Sequence, residues 1–370
     1  MGHILACPTR VEDSAVRLPL NRAMLLLATL AFATASAVDI MEAADAKEKR
    51  RSIIARAKVW LPVDTASMDL RTGPDHDQAF APGATVTCDY SDKKLPGASP
   101  KFACRLPNGD ALKVKYHSAN NGEVFAEVAA TRLLWALGFG ADHMYSVKVV
   151  CRRCPAKVRG ILRENGDRII DPAAVERKMP GEVLSEEWRW EELDQIDPSA
   201  GGATVAERDA LKLMAVFLQH SDSKPVQQRI VCVTPGESGR CETPMMMVQD
   251  IGITFGKANT FNLQPGSSAN LKGWAATPVW KGAEGCIGNL KGSITGTLKD
   301  PSISEAGRKF LADLLGQLSD QQLRDLFEAA RMKLRPRDST DGRSGFPTTD
   351  EWVDAFKQKR AEIAERRCAA

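Results

Sequence analysis

The chain has 370 residues, 43% of them hydrophobic and 26% charged, and its 50 Lys and Arg against 47 Asp and Glu give a formal net charge of +3. That is the composition of an ordinary globular protein with enough chain for a large core. So small a charge excludes the broad electrostatic attraction to nucleic acid or an acidic membrane surface that a strongly basic chain would have.

The first element is apolar. Arg10, Arg17 and Arg22 precede Met24, Leu25, Leu26, Leu27, Leu30 and Phe32, and Ala35-Ser36-Ala37 closes the run before the polar stretch from Asp39. A basic lead, an apolar centre and a small-residue cleavage site make a secretory signal. The apolar centre, about 15 residues, is shorter than the roughly 20 that cross a bilayer as a helix. Cleavage is therefore expected after Ala37, with Met24 as an alternative start because Glu12 and Asp13 interrupt the lead. Three Arg and two acids leave with residues 1–37, so the net charge falls from +3 to +2. The remainder is expected to be secreted or periplasmic, with no transmembrane anchor after cleavage.

Cysteine usage points the same way. Cys7 goes with the signal, and Cys88, Cys104, Cys151, Cys154, Cys232, Cys241, Cys286 and Cys368 remain. An even number in an exported chain suits disulfides. Cys88 is expected to pair with Cys104 across a hairpin, and Cys232 with Cys241 around the insertion TPGESGR. Cys151-Arg152-Arg153-Cys154 reads as a further disulfide. A redox pair and half a zinc site are its alternatives, and no second CxxC or His pair completes a zinc set. Spacing does not fix the partners of Cys286 and Cys368.

Residues 38–83 form an extension, with a charged helix predicted over Ala43 to Ala57 followed by a polar stretch. ATVTCDY, KFACRLP and ALKVKY then read as three strands of a small antiparallel sheet, with Asn108-Gly109-Asp110 as the turn between the last two. From Glu123 to Leu137, Val124, Val128, Leu133, Leu134 and Leu137 recur at helical spacing, and Gly138 ends the helix. SVKVVC and VRGILRE read as strands. Helices are predicted over Ala206 to Leu218, twice within Ile303 to Met332 with Ser319 as the intervening N-cap, and over Asp350 to Arg366. Strands early and helices late predict an α+β fold with a sheet-rich lobe over 84–160, a helical lobe over 161–335, and a linker and last helix over 336–370. Trp188, Trp190, Trp274 and Trp280 are read as packing residues.

The segment from His220 to Gln227, HSDSKPVQ, holds the chemistry. Its His, Asp and final amide match the register of the catalytic loop H-R-D-L-x-x-x-N. In that loop the Asp takes the proton of an attacking hydroxyl and the later amide reaches a metal beside the phosphates. Asp222 is the candidate base, His220 is a second catalytic candidate, Lys224 is a candidate cofactor-binding residue, and Gln227 is a candidate metal ligand. Downstream, Asp250-Ile251-Gly252 follows an apolar strand as a metal-holding D-F-G element does. Upstream, Lys113 and Lys115 share one face of the third strand, and Glu127 lies on the helix that follows, so either lysine can pair with it.

With these motifs on the page, the run Ala126-Glu127-Val128-Ala129-Ala130 through Leu137-Gly138-Phe139 resembles the helix after the lysine strand in atypical kinases. Those are the secreted Golgi kinases of the casein-kinase type, the type II phosphatidylinositol 4-kinases and the HipA-type bacterial kinases. The resemblance covers roughly 84–335 and implies a two-lobed kinase-like fold with ATP and Mg or Mn in its cleft. It implies phosphoryl transfer, with Lys113 or Lys115, Glu127, Asp222 and Asp250 at matching positions. The chain departs from the pattern in having no G-x-G-x-x-G before Lys113, Gln227 for Asn, and a long interval between Asp222 and Asp250 that the Cys232 to Cys241 insertion accounts for. Two functions are expected: an exported phosphotransferase acting on a protein, lipid or carbohydrate hydroxyl, or a disulfide-stapled binding module on the same scaffold without turnover.

Overall fold

The computed structural model describes residues 42–368 apart from 76–77, 98, 117–121, 257–267, 293–295 and 338–340. The expected signal, 1–37, lies outside the described residues. The chain divides into a first unit ending at Ser52 and a compact second unit, Ile53–Ala370. The first is helical from residue 42 onwards. All that follows concerns the second.

Its early strands are β1 (Thr85–Ser91), β2 (Lys101–Arg105), β3 (Ala111–Tyr116), β4 (His143–Arg152), β5 (Ile161–Leu162) and β6 (Arg168–Arg177). The expected small antiparallel sheet is part of something larger. The order β3-β2-β1-β4-β6 closes on itself because β3 also pairs with β6, giving a five-stranded barrel with β5 as a short flap on β6. The β1–β4 pair is parallel and the others are antiparallel. Alternation along β3 decides what goes where. Leu112, Val114 and Tyr116 join Val86, Phe102, Tyr145, Val147 and Val175 in the barrel's own core, which leaves Lys113 and Lys115 on the outer face.

Helix α1 (Glu123–Ala136) packs on that outer face. It ends at Gly138, whose φ of +83° suits glycine and whose Cβ, were there one, would lie 2.2 Å from the Leu61 carbonyl oxygen. Helix α1 is apolar almost all round and nearly every residue of it is buried, because the barrel covers one side and the second core the other.

That second core belongs to α2 (Val205–Leu218), α3 (Leu271–Ala275), α4 (Glu305–Gly316), α5 (Asp320–Ala329) and α6 (Thr349–Glu365), beside a three-stranded sheet of β7 (Glu182–Ser185), β8 (Gln228–Pro235) and β9 (Cys241–Val248). Capping boxes start three of the helices: Thr204 with Glu207, Ser319 with Gln322, and Thr348 with Glu351. Phe217, Phe255, Trp274, Phe327, Trp352 and Phe356 meet edge to face or stacked, at centroid distances from 4.9 to 6.3 Å. The architecture is α+β. Among the described residues no helix is long and apolar enough to cross a membrane.

Four disulfides staple it: Cys88–Cys104, Cys151–Cys154, Cys232–Cys241 and Cys286–Cys368. The two hairpin pairings and the CxxC bridge agree with the sequence. Cys286–Cys368 spans 82 residues and ties the end of the chain back to the loop before α4. Strand β6 was not foreseen, whereas VRGILRE contributes only Ile161–Leu162.

Candidate functional site

Lys115 is almost wholly buried, with 1% of its side chain exposed, and three carboxylates surround it. Its Nζ lies 2.7 Å from Glu127 Oε2 and 3.8 Å from Glu123 Oε2, both on α1. It also pairs closely with Asp250 Oδ1, just past β9. Ser99 Oγ donates to the other oxygen of Glu123 at 2.9 Å. Burial by itself would favour a neutral lysine, but Asp250, Glu127 and Glu123 hold the ammonium charged and push its pKa up. Glu127 responds oppositely: burial raises it to about 7 against the pull of Lys115. Burial would raise Asp250 too, yet Lys115, Lys113 and Lys101 keep its carboxyl well below the usual range.

The structure thus separates the two lysines that sequence left equivalent. Lys113 stands opposite Glu176 of β6 and pairs with it. Lys178 joins that network, 2.6 Å from Glu176 and 2.7 Å from Asp142. Only Lys115 reaches Glu127.

The loop with the candidate base lies beside β9. His220 is 2% exposed, and among the described residues neither of its ring nitrogens has a hydrogen-bond partner. Burial lowers its pKa to about 4 despite Asp222 and Asp250 nearby. Its ring lies against Trp190 at a centroid distance of 6.4 Å. Asp222 is also buried. Lys224 Nζ lies 2.9 Å from its Oδ1 and 3.0 Å from Oδ2, and Gln227 Nε2 donates to Oδ2 at 3.0 Å. Gln227 Oε1 accepts from the Lys224 backbone N–H at 3.3 Å. Its amide is therefore turned toward its own loop. Two backbone N–H groups donate to Ser223 and brace the loop, Thr297 N–H to its carbonyl oxygen at 3.0 Å and Leu298 N–H to its Oγ at 3.1 Å.

The β8–β9 hairpin brings this loop to Asp250. Gln228 pairs with Val248, and the Gln249 N–H donates to Gln227 O at 2.8 Å. The long interval between Asp222 and Asp250 is thus folded away into a stapled hairpin. Gly252 has no room for a side chain, because a Cβ there would meet Glu123 Cβ and Cγ at 2.9 Å. Asp250 itself sits at φ 52°, a left-handed conformation that points to a site built against local preference.

Sequence reasoning missed Lys101, Glu123 and Glu176. Lys101 stands directly across from Lys115 in the β2–β3 pair, and burial and the neighbouring Lys115 and Lys113 lower its pKa while Asp250 opposes them. An isolated lysine at a strand start carries no signal. Its register opposite Lys115 would have been the one clue.

Among the described residues no three or more His, Cys, Asp and Glu side chains are arranged to hold a metal by themselves. Magnesium bound between phosphates and protein needs only one or two carboxylates, and Asp250, ionised and with 35% of its side chain exposed, fits that demand.

No protein-family model and no curated protein matches the chain. Among solved structures, that of a Helicobacter pylori proinflammatory kinase, CtkA, is similar over 77% of this chain and 96% of that one, at 12% identity and a TM-score of 0.42. Likeness at that level assigns neither activity nor site residues.

Proposed function

We propose that this is an exported, two-lobed kinase-like phosphotransferase that moves the γ-phosphate of ATP to the hydroxyl of a protein, lipid or carbohydrate. The observation that carries the reading is the buried Lys115–Glu127–Asp250 cluster placed by one hairpin beside the Asp222 loop. A strand lysine paired to a helix carboxylate, a separate base and an aspartate after a strand are the parts phosphoryl transfer uses. Lys115 and Lys101 would take the phosphates, and Asp250 would hold Mg or Mn, which shields phosphate charge. Asp222 accepts the proton of the acceptor hydroxyl as its oxygen bonds to phosphorus and the bond to ADP breaks. Lys224 balances the charge on Asp222. The eight paired cysteines support an oxidising compartment, hence secretion or the periplasm.

A binding module without turnover is the second reading. It is favoured by one observation: Gln227 donates to Asp222 and its amide oxygen accepts from the Lys224 N–H, so both ends of the amide are engaged within its own loop. Thermal shift and phosphate transfer on the disulfide-intact protein separate the two. Nucleotide at 100 times its Kd stabilises by roughly 2.7 kcal/mol. Asp250→Ala is expected to abolish metal-dependent binding, and Asp222→Ala to spare binding while removing transfer. Binding without transfer by the wild type selects the module, and no stabilisation by any metal–nucleotide pair overturns the kinase reading.

A further inference from the structure

A cavity of about 180 Å³ opens beside the turn that precedes Asp222, bounded by Gln219 and Ser221, by Ala276, Thr277 and Pro278, and by Asn289, Leu290 and Lys291. A water occupies roughly 30 Å³ of liquid, so the space suits a group of several heavy atoms. Gln219 and Ser221 are each 5% exposed, yet Gln219 Oε1 and Ser221 Oγ have no hydrogen-bond partner among the described residues. Such atoms are rarely left alone in a folded protein. Gln219 is held there by a left-handed backbone, φ 59°, as the C-cap of α2.

Several other polar groups of the wall are already engaged. Thr277 Oγ1 donates to Gly273 O at 2.7 Å, the Thr277 carbonyl accepts from Lys359 at 2.6 Å, and Asn289 Nδ2 donates to Pro278 O at 3.0 Å. What remains is a pair of buried oxygens with Gln219 Nε2 and Asn289 Oδ1 beside them, an apolar wall of Ala276, Pro278 and Leu290, and the exposed Lys291 at the rim. Among the described residues no carboxylate lines it, so a cationic ligand meets no counter-charge there. Gln219 Oε1 can only accept, which calls for a donor on the ligand.

We propose that this cavity is a binding site for a small hydroxylated ring, a monosaccharide or its phosphate. Ring hydroxyls donate to Gln219 Oε1 and Ser221 Oγ, the C–H face of the ring packs on Pro278 and Leu290, and Lys291 receives an anionic substituent. The site does not depend on phosphoryl transfer and is tested without nucleotide.

The experiment is saturation-transfer NMR on the full-length, disulfide-bonded protein with D-glucose and D-glucose 6-phosphate as probes. Transfer to ring protons is expected for both, stronger for the phosphate. Ser221→Ala with Gln219→Leu should weaken both probes at least tenfold, and Ala276→Leu should block them by filling the space. Lys291→Glu should weaken only the phosphate. An unchanged near-UV spectrum in each variant establishes that the fold persists, and Ala276→Leu leaves the polar pair intact should the double variant not fold. Absence of transfer to the wild type, or transfer that survives both the double variant and Ala276→Leu, overturns the proposal and leaves a cavity for water alone.

Discussion

Lys115→Met compared with Lys113→Met tests the geometry of the charged cluster most directly. Methionine keeps the unbranched stem and removes the ammonium. At position 115 this strands Glu127, 1% exposed, and Glu123, 6% exposed, without their cation. Breaking a buried ion pair from one side costs about 3–5 kcal/mol. Glu127 can limit the loss by taking a proton, since burial already places its pKa at about 7. At position 113 the stranded partner is Glu176, which keeps Lys178 at 2.6 Å, so the loss should be about 1–2 kcal/mol, nearer that of a single charged hydrogen bond. Urea unfolding at pH 7 with disulfides intact measures both, and the same proteins can be screened for stabilisation by ATP with magnesium. The expected order is a large loss of stability and of nucleotide response for Lys115→Met and a small loss of each for Lys113→Met. Equal losses, or a greater one at position 113, would refute the assignment of Lys115 as the lysine of the site.

Three further expectations follow from the same contacts. His220 is held at about 4 in the fold against 6.5 in the unfolded chain, so between those values the unfolded state binds more protons and stability falls as pH drops; the span corresponds to about 3 kcal/mol. In denaturant titrations at pH 4 and 7, His220→Leu should lose that acid sensitivity, and an unchanged pH slope would argue against a neutral buried imidazole. Gly252→Ala should cost about 1–3 kcal/mol, since its Cβ meets Glu123 on the rigid α1; a neutral result by thermal unfolding would mean that the Asp250 turn does not lie against α1. Replacing Cys286 and Cys368 together by Ala opens a link of 82 residues, for which loop entropy gives about 4.5 kcal/mol, whereas opening Cys151–Cys154 should cost far less; equal shifts in urea midpoint would contradict the pairing.

What could be read from sequence was local. The Asn108-Gly109-Asp110 turn, the Ser319 cap and the Cys88–Cys104 and Cys232–Cys241 pairs all join residues close in the chain, so spacing and residue type sufficed. The choice between Lys113 and Lys115 was not readable, because both point to one face of β3 and only the distant Glu176 and Glu127 tell them apart. Closure of the barrel rests on the β3–β6 pairing, more than fifty residues apart in sequence. Pro172 and Asp171 within β6 hid that strand, since neither favours a ladder. Cys286–Cys368 has no local signature at all.

The two lysine networks bear on the proposed chemistry together. Lys101, Lys113, Lys115 and Lys178 stand among Glu123, Glu127, Asp142, Glu176 and Asp250, four ammonium groups to five carboxylates. A region so nearly balanced can be buried, and Glu127, raised to about 7, absorbs the one extra carboxylate, while a large surplus of either sign could not be buried. On the proposed reading, the Lys115–Asp250 contact is the pairing these groups keep while no nucleotide separates them. A phosphate taking Lys115 and a metal taking Asp250 would replace the Lys115–Asp250 pair by two new ones, while Glu127 keeps its place beside Lys115. Lys113 and Lys178, already committed to Glu176 and Asp142, stay out of that exchange and hold β6 against β3 while it occurs.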